Sequence, residues 1–119
     1  MQDGRLLKWD KKFGKPPNWL NAGNYSCVTQ YLLAVKRAGS KDPQAVIKAL
    51  EGHRFSDFFA SPGYIRPEDH KRVGKAYILR AKKPSEMKGS WDLFQIVGVV
   101  PAEIAYQDVK EVGCKMGDF

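Results

Sequence analysis

Cys27, His53 and His70 carry the side chains best suited to chemistry, and their surroundings in the sequence argue against a reaction. A thiol nucleophile needs a base beside it and a further group to orient that base. Cys27 falls between Tyr25 and Val28 on an apolar helical stripe, where a buried free thiol is expected. His53 and His70 stand in polar turn segments without a supporting motif, so no catalytic residue is assigned and an enzyme is not expected. Two cysteines 87 positions apart do not give a zinc site of the usual spacing, and neither histidine has a ligand-type partner nearby, so neither metal nor other cofactor is expected. Lys82-Lys83 with Trp91 reads as a lysine-rich turn in preference to a nucleic-acid patch, and Asp92 as a local cap or ion-pair partner.

The elements that hold these residues change period half-way along the chain. Leu6, Trp9 and Phe13 form one helical stripe, Gly14 suits a left-handed C-cap, and Pro16-Pro17 forbid continuation. Tyr25, Val28, Leu32 and Val35 predict a second helix with that stripe as its core face. Asn21 or Asn24 would cap its start, and Gly39 would end it. Asp42-Pro43 opens a third helix, with Val46, Ala49 and Leu50 inward and Gly52 closing it. Beyond it, Tyr64-Ile65-Arg66 is extended and Pro67-Glu68-Asp69 turns. Strands are predicted over 75–82, with at least one buried side, and over 91–100. A last helix is predicted over 101–112, with Gly113 at its end.

The order is three helices, then strands and a final helix: an α/β chain whose strands want more neighbours than it supplies. Its 119 residues allow one domain or a piece of one. The +7 net charge is spread over short, interrupted clusters, so it speaks for solubility and against nucleic acid as a partner. No apolar run approaches the ~20 residues that a bilayer demands. The first residues, Met1-Gln2-Asp3-Gly4-Arg5, show no basic stretch leading into an apolar one, so no export signal is read there.

Several short motifs, in their order, resemble one family. Gly63-Tyr64-Ile65-Arg66, Lys83-Pro84-Ser85-Glu86 and Lys88-Gly89-Ser90-Trp91-Asp92 are similar to the C-terminal region of bacterial periplasmic substrate-binding proteins. The group is the branched-chain amino acid (leucine/isoleucine/valine) receptor family of ABC importers. Gly14-Lys15-Pro16-Pro17, Ala22-Gly23-Asn24-Tyr25-Ser26 and Ala38-Gly39-Ser40-Lys41-Asp42 resemble its helix-loop-helix, and the late Cys114 also fits.

The resemblance implies a two-lobe receptor that closes on a small amino-acid-like or amide/carboxylate solute and hands it to an ABC permease in the periplasm. It implies a C-terminal fragment or truncated product, with residues 1–67 in the helical part of the N-terminal lobe, 68–74 as the third hinge crossover and 75–119 closing the C-terminal lobe. It also places the loop entering the long helix at the ligand cleft, with Asn21, Asn24 and Tyr25 as ligand-binding candidates. A plain N-cap and core role for those residues stays open, and Trp19 beside them reads as core. With Cys27 and Cys114 in different lobes, no bond between them is expected. Unpaired strand edges lead to the expectation that the chain self-associates. The other reading is a small basic interaction module that binds an acidic partner or nucleic acid.

Overall fold

A computed structural model describes residues 4–113 and residue 115 of the chain. Cys114 lies outside the described residues, so its pairing is not addressed. The helical half is punctuated by its own side chains. Helix α1 (Gly4–Phe13) ends at Gly14, whose φ of 68° is open to glycine and costly for a residue with a Cβ. Trp9 and Phe13 meet one turn apart at its end, ring centroids 4.4 Å from each other.

Helix α2 (Trp19–Ala38) starts earlier than Asn21 or Asn24 would allow as caps. Its N-cap is Asn18, whose side-chain oxygen accepts from the Asn21 N–H at 3.0 Å. Asn21 returns the bond, its own side-chain oxygen accepting from the Asn18 N–H at 3.1 Å. This reciprocal box satisfies two of the helix's free donors, which is why the start moves to the residue just past Pro16-Pro17. Gly39, at φ 61°, closes α2 as expected. Asp42 caps helix α3 (Pro43–Leu50) by accepting from the Ala45 N–H at 2.9 Å, with Pro43 in the first turn.

The buried face of α2 is the reverse of the expected one. Ser26, Gln30 and Ala34 point inward, whereas Tyr25, Val28 and Leu32 are 52%, 57% and 59% exposed. Ala34 and Val46 meet the small α2–α3 core, and the Arg37 guanidinium donates to the Ala49 carbonyl at 2.9 Å. Periodicity locates a stripe but does not say which side a neighbour takes. Here the polar stripe has the neighbours. Cys27 is accordingly exposed and free, not a core thiol, and Trp19 is exposed as well.

Two antiparallel sheets follow. Strands β1 (Arg54–Phe55), β2 (Gly63–Ile65) and β3 (Arg72–Gly74) lie in the order β1-β2-β3. The Phe55 ring lies over Gly63, where a Cβ would fall 2.6 Å from it and push the ring aside. The β2–β3 turn is organised by Asp69, which accepts from the Lys71 N–H at 3.1 Å and from Arg66 Nε at 2.9 Å. Strands β4 (Ala76–Ala81) and β5 (Phe94–Val100) form a separate two-stranded ribbon with an irregularity between Ile78 and Leu79. Lys75 alone separates β3 from β4.

The side expected to be buried on β4 is open: Tyr77, Ile78 and Leu79 are all exposed, as are Ile96, Val97 and Val99 on β5. The single helix expected over 101–112 is two short turns, α4 (Ala102–Ala105) and α5 (Val109–Val112). Tyr106 turns extended, and Asp108 accepts from the Lys110 N–H at 2.8 Å, a local bond that competes with helix continuation. The radius of gyration is 17.4 Å, against ~13.5 Å for a compact domain of this length. The molecule is a flattened 54 × 36 × 18 Å body.

Candidate functional site

The first two turns of α2 hold the three candidate residues. Asn21, Asn24 and Tyr25 are all exposed, and they continue the exposed apolar stripe of Val28 and Leu32 toward the N-terminus. Asn21 is tied into the capping box through its backbone N–H and side-chain oxygen. Tyr25 meets Phe58 edge-on, ring centroids 5.4 Å apart. Such a pair presents a rigid apolar wall with a hydroxyl at its rim.

Phe58 is held there by the loop it belongs to, residues 57–60, and that loop is fastened to α2 by Asp57. One Asp57 carboxylate oxygen accepts from Ser26 Oγ at 2.6 Å and from Gln30 Nε2 at 3.2 Å. The other accepts from the backbone N–H groups of Phe59 at 2.9 Å and Ala60 at 2.8 Å. Burial by itself pushes the Asp57 carboxyl up. The bonds from Ser26, Ala60, Gln30 and Phe59 outweigh it, and the carboxyl stays below its ordinary range, ionised at neutral pH. Next to the clamp, a Cβ on Gly23 would meet the Phe59 ring at 3.5 Å, which marks how closely the loop lies on the helix.

Asn18, Asp57 and Phe58 are not among the site candidates that the sequence offers. A signal for Asp57 is present: an Asx residue in the loop between β1 and β2, two and three positions ahead of N–H groups it can cap. Phe58 has no such signal, because its meeting with Tyr25 spans 33 positions.

The remaining candidates are engaged locally. His53 stacks on Phe55, with centroids 6.0 Å apart, and burial followed by the nearby Arg37 charge lowers its pKa. His70 takes a left-handed φ of 53° in the β2–β3 turn and lies 2.8 Å from a Glu51 carboxylate oxygen. Lys82 Nζ donates to Asp92 at 2.6 Å, the local pairing expected of that aspartate. Among the described residues, no three His, Cys, Asp or Glu side chains gather in a way that would hold a metal ion. Among those residues, too, no helix is long and apolar enough to cross a membrane.

Residues 5–88 match the sequence model of the periplasmic binding proteins. The chain belongs to the periplasmic binding protein family. No curated protein matches it. Solved structures do. It is 39% identical to a periplasmic binding protein from Burkholderia mallei, at a TM-score of 0.83. To a branched chain amino acid ABC transporter periplasmic ligand-binding protein from Burkholderia xenovorans LB400 it is also 39% identical, at a TM-score of 0.81. Each comparison covers 89% of this chain and 28% of the other. An amino acid ABC transporter substrate-binding protein from Pseudomonas fluorescens Pf-5 is 26% identical over 94% of this chain and 29% of its own, at a TM-score of 0.80. The chain therefore spans between a quarter and a third of the periplasmic binding proteins it resembles, and its mixed helices and strands are a portion of their fold.

Proposed function

We propose that this chain is one part of a solute-binding receptor of an ABC importer, working in the periplasm and delivering a small amino-acid-like or amide/carboxylate solute to a permease. The observation that carries this reading is the 39% identity, at a TM-score of 0.81, to the Burkholderia xenovorans ligand-binding protein. Residues 1–67 belong to the helical part of one lobe and 75–119 to the other, with the crossing in 68–74. The single residue between β3 and β4, Lys75, lies just beyond that segment and makes a short joint between the two sheets.

In this reading the head of α2 is one wall of the solute cleft. Asn21 and Asn24 offer exposed amides for a polar or carboxylate group, and the Tyr25–Phe58 pair offers an apolar surface to its side chain. No chemical step follows, since a receptor of this kind binds and releases its solute unchanged. The chain supplies only one wall, and small solutes gain affinity by burying most of their surface.

The test is a chimera in which this chain replaces the matching segment of the Burkholderia xenovorans protein, with branched-chain amino acids as probes in calorimetry. The isolated chain is expected to give no heat with leucine, while the chimera binds and loses at least about tenfold in affinity on Tyr25→Ala. A micromolar Kd for leucine at unit stoichiometry in the isolated chain would overturn the one-wall reading. Unchanged affinity in the Tyr25→Ala chimera would remove this residue from the site.

A further inference from the structure

On the side of α2 away from Asn21 and Tyr25, a cavity of about 370 Å³ opens between that helix, α3 and the three-stranded sheet. We propose that it is a second small-molecule site, for a flat apolar compound of about the size of phenol that carries one hydroxyl or N–H donor. At 100° per residue, Gln30 on its wall is turned about 180° from Asn21, about 140° from Tyr25 and about 120° from Asn24. Tyr31 at its rim lies two turns along from Asn24 on the same face, so the cavity's interior, though not its rim, is turned away from the proposed solute wall. Its volume lies within the ~300–1,000 Å³ span of small-ligand pockets.

The polar feature that points to an occupant is Gln30. This side chain lines the cavity, is only 6% exposed, and its Oε1 is buried without a hydrogen-bond partner. Asp57 fixes which way the amide faces. Its carboxylate accepts from Gln30 Nε2, and a flipped amide would set two acceptor oxygens against each other. The free oxygen is thus a forced consequence of the clamp, and a buried acceptor without a donor is costly. It is covered in this conformation. The terminal torsion of glutamine is soft, and a donor in the cavity reaches this oxygen by a turn of that torsion.

Water is a poor occupant, because a buried water needs two to four polar partners. Most of the lining is apolar, and of its polar groups Ser26 Oγ donates to Asp57, the His70 ring lies against Glu51, and Arg72 stacks 5.0 Å over the Phe59 ring. Much of the remaining wall is apolar, Ile47, Leu50 and Phe55 among it. A ring with a single donor satisfies both the wall and the glutamine oxygen. Cys27 and Tyr31 are the exposed members of the lining, so they mark its mouth, and Cys27 is a free thiol placed to report on occupancy.

The experiment measures alkylation of Cys27 in the full chain by iodoacetamide, with mass-spectrometric mapping to separate it from Cys114, in the presence of millimolar phenol or toluene. Phenol is expected to slow Cys27 at least about fivefold more than toluene does, with Cys114 unaffected, because only phenol supplies the donor. In Gln30→Met the two compounds should protect equally. Should that variant lose its helical circular dichroism, Ile47→Trp, which fills the cavity from α3, must abolish protection by phenol. Asn21→Ala and Tyr25→Ala must leave it intact, whatever they do to the solute wall. No protection by phenol, equal protection of both cysteines, or a phenol preference that survives Gln30→Met would each overturn the proposal. The first of these is also the result expected if a polypeptide segment occupies the cavity instead.

Discussion

Residues 4–74 and the β4–β5 ribbon solve the problem of holding a shape in opposite ways. The first region has few large buried side chains and is held by directional polar bonds: helix starts are capped by Asn18 and Asp42, and the loop at Asp57 is pinned by four donors. The ribbon has the reverse character. Its two strands pair along Ala76–Ala81 with one register shift between Ile78 and Leu79, yet the apolar residues on both of its faces stay in water. A two-stranded antiparallel pair is marginal by itself, and exposed apolar surface of this extent marks a face meant for another partner. The same contrast runs around α2, where the polar stripe is buried and the apolar stripe is open. Directional bonds thus hold what this chain completes internally, and unspent apolar surface lies where a neighbour would pack.

The largest expected effect breaks the first region and leaves the ribbon's chemistry alone. Asp57→Ala removes the shared acceptor of Ser26, Gln30, Phe59 and Ala60, leaving buried donors without partners. Loss of about 3 kcal/mol in urea unfolding is expected, since bonds to a charged acceptor are the strong ones and orphaned donors carry the desolvation penalty. Asp57→Asn should fall between the two, because an amide still accepts through one oxygen. A loss below about 1 kcal/mol for Asp57→Ala would mean that the loop is held by packing.

A second change tests the ribbon. We propose that the open ribbon makes the chain self-associate, and Leu79→Glu with Ile96→Glu, paired across the strands, should weaken that association at least about tenfold. Sedimentation velocity over a concentration series reads it. A monomeric parent at high concentration would show that the exposed faces do not drive pairing.

How far the sequence reveals this arrangement depends on the range of the forces involved. The turn glycines Gly14 and Gly39 and the Asp42-Pro43 start are readable because each acts within a few residues. Asn18 escapes because its partner in the box is another asparagine, not the Glu or Gln that usually completes the pattern. The inverted face of α2 could not be read from period alone, since the stripe of Ser26 and Gln30 is buried by Asp57, about 30 residues away. The short strands β1 and β3 escape for a similar reason: two or three residues carry no period, and only their pairing with β2 defines them. At the candidate site, the resemblance pointed to Asn21, Asn24 and Tyr25, while the loop that backs Tyr25 came into view only with the fold.

The smallest expected effect compares a second polar fastening in the same region. Asp69 joins Arg66 through two bonds and Arg66 also donates to the Gln107 carbonyl at 3.1 Å, so this pair links the β2–β3 turn to the segment after α4. The Arg66 bond first, and then the Lys71 N–H and the neighbouring cations, hold the Asp69 carboxyl at about 2 against the opposing effect of burial. A folded-state pKa below the ordinary 3.8 means that the contribution is fully present above that value and is lost as pH falls toward about 2. The pair lies near the surface, so salt should shrink its contribution. In unfolding experiments between pH 5 and pH 2, Asp69→Asn and Asp57→Asn should therefore each flatten part of the parent's acid slope. An unchanged acid slope in Asp69→Asn would show that the turn at Arg66 does not hold this carboxylate ionised.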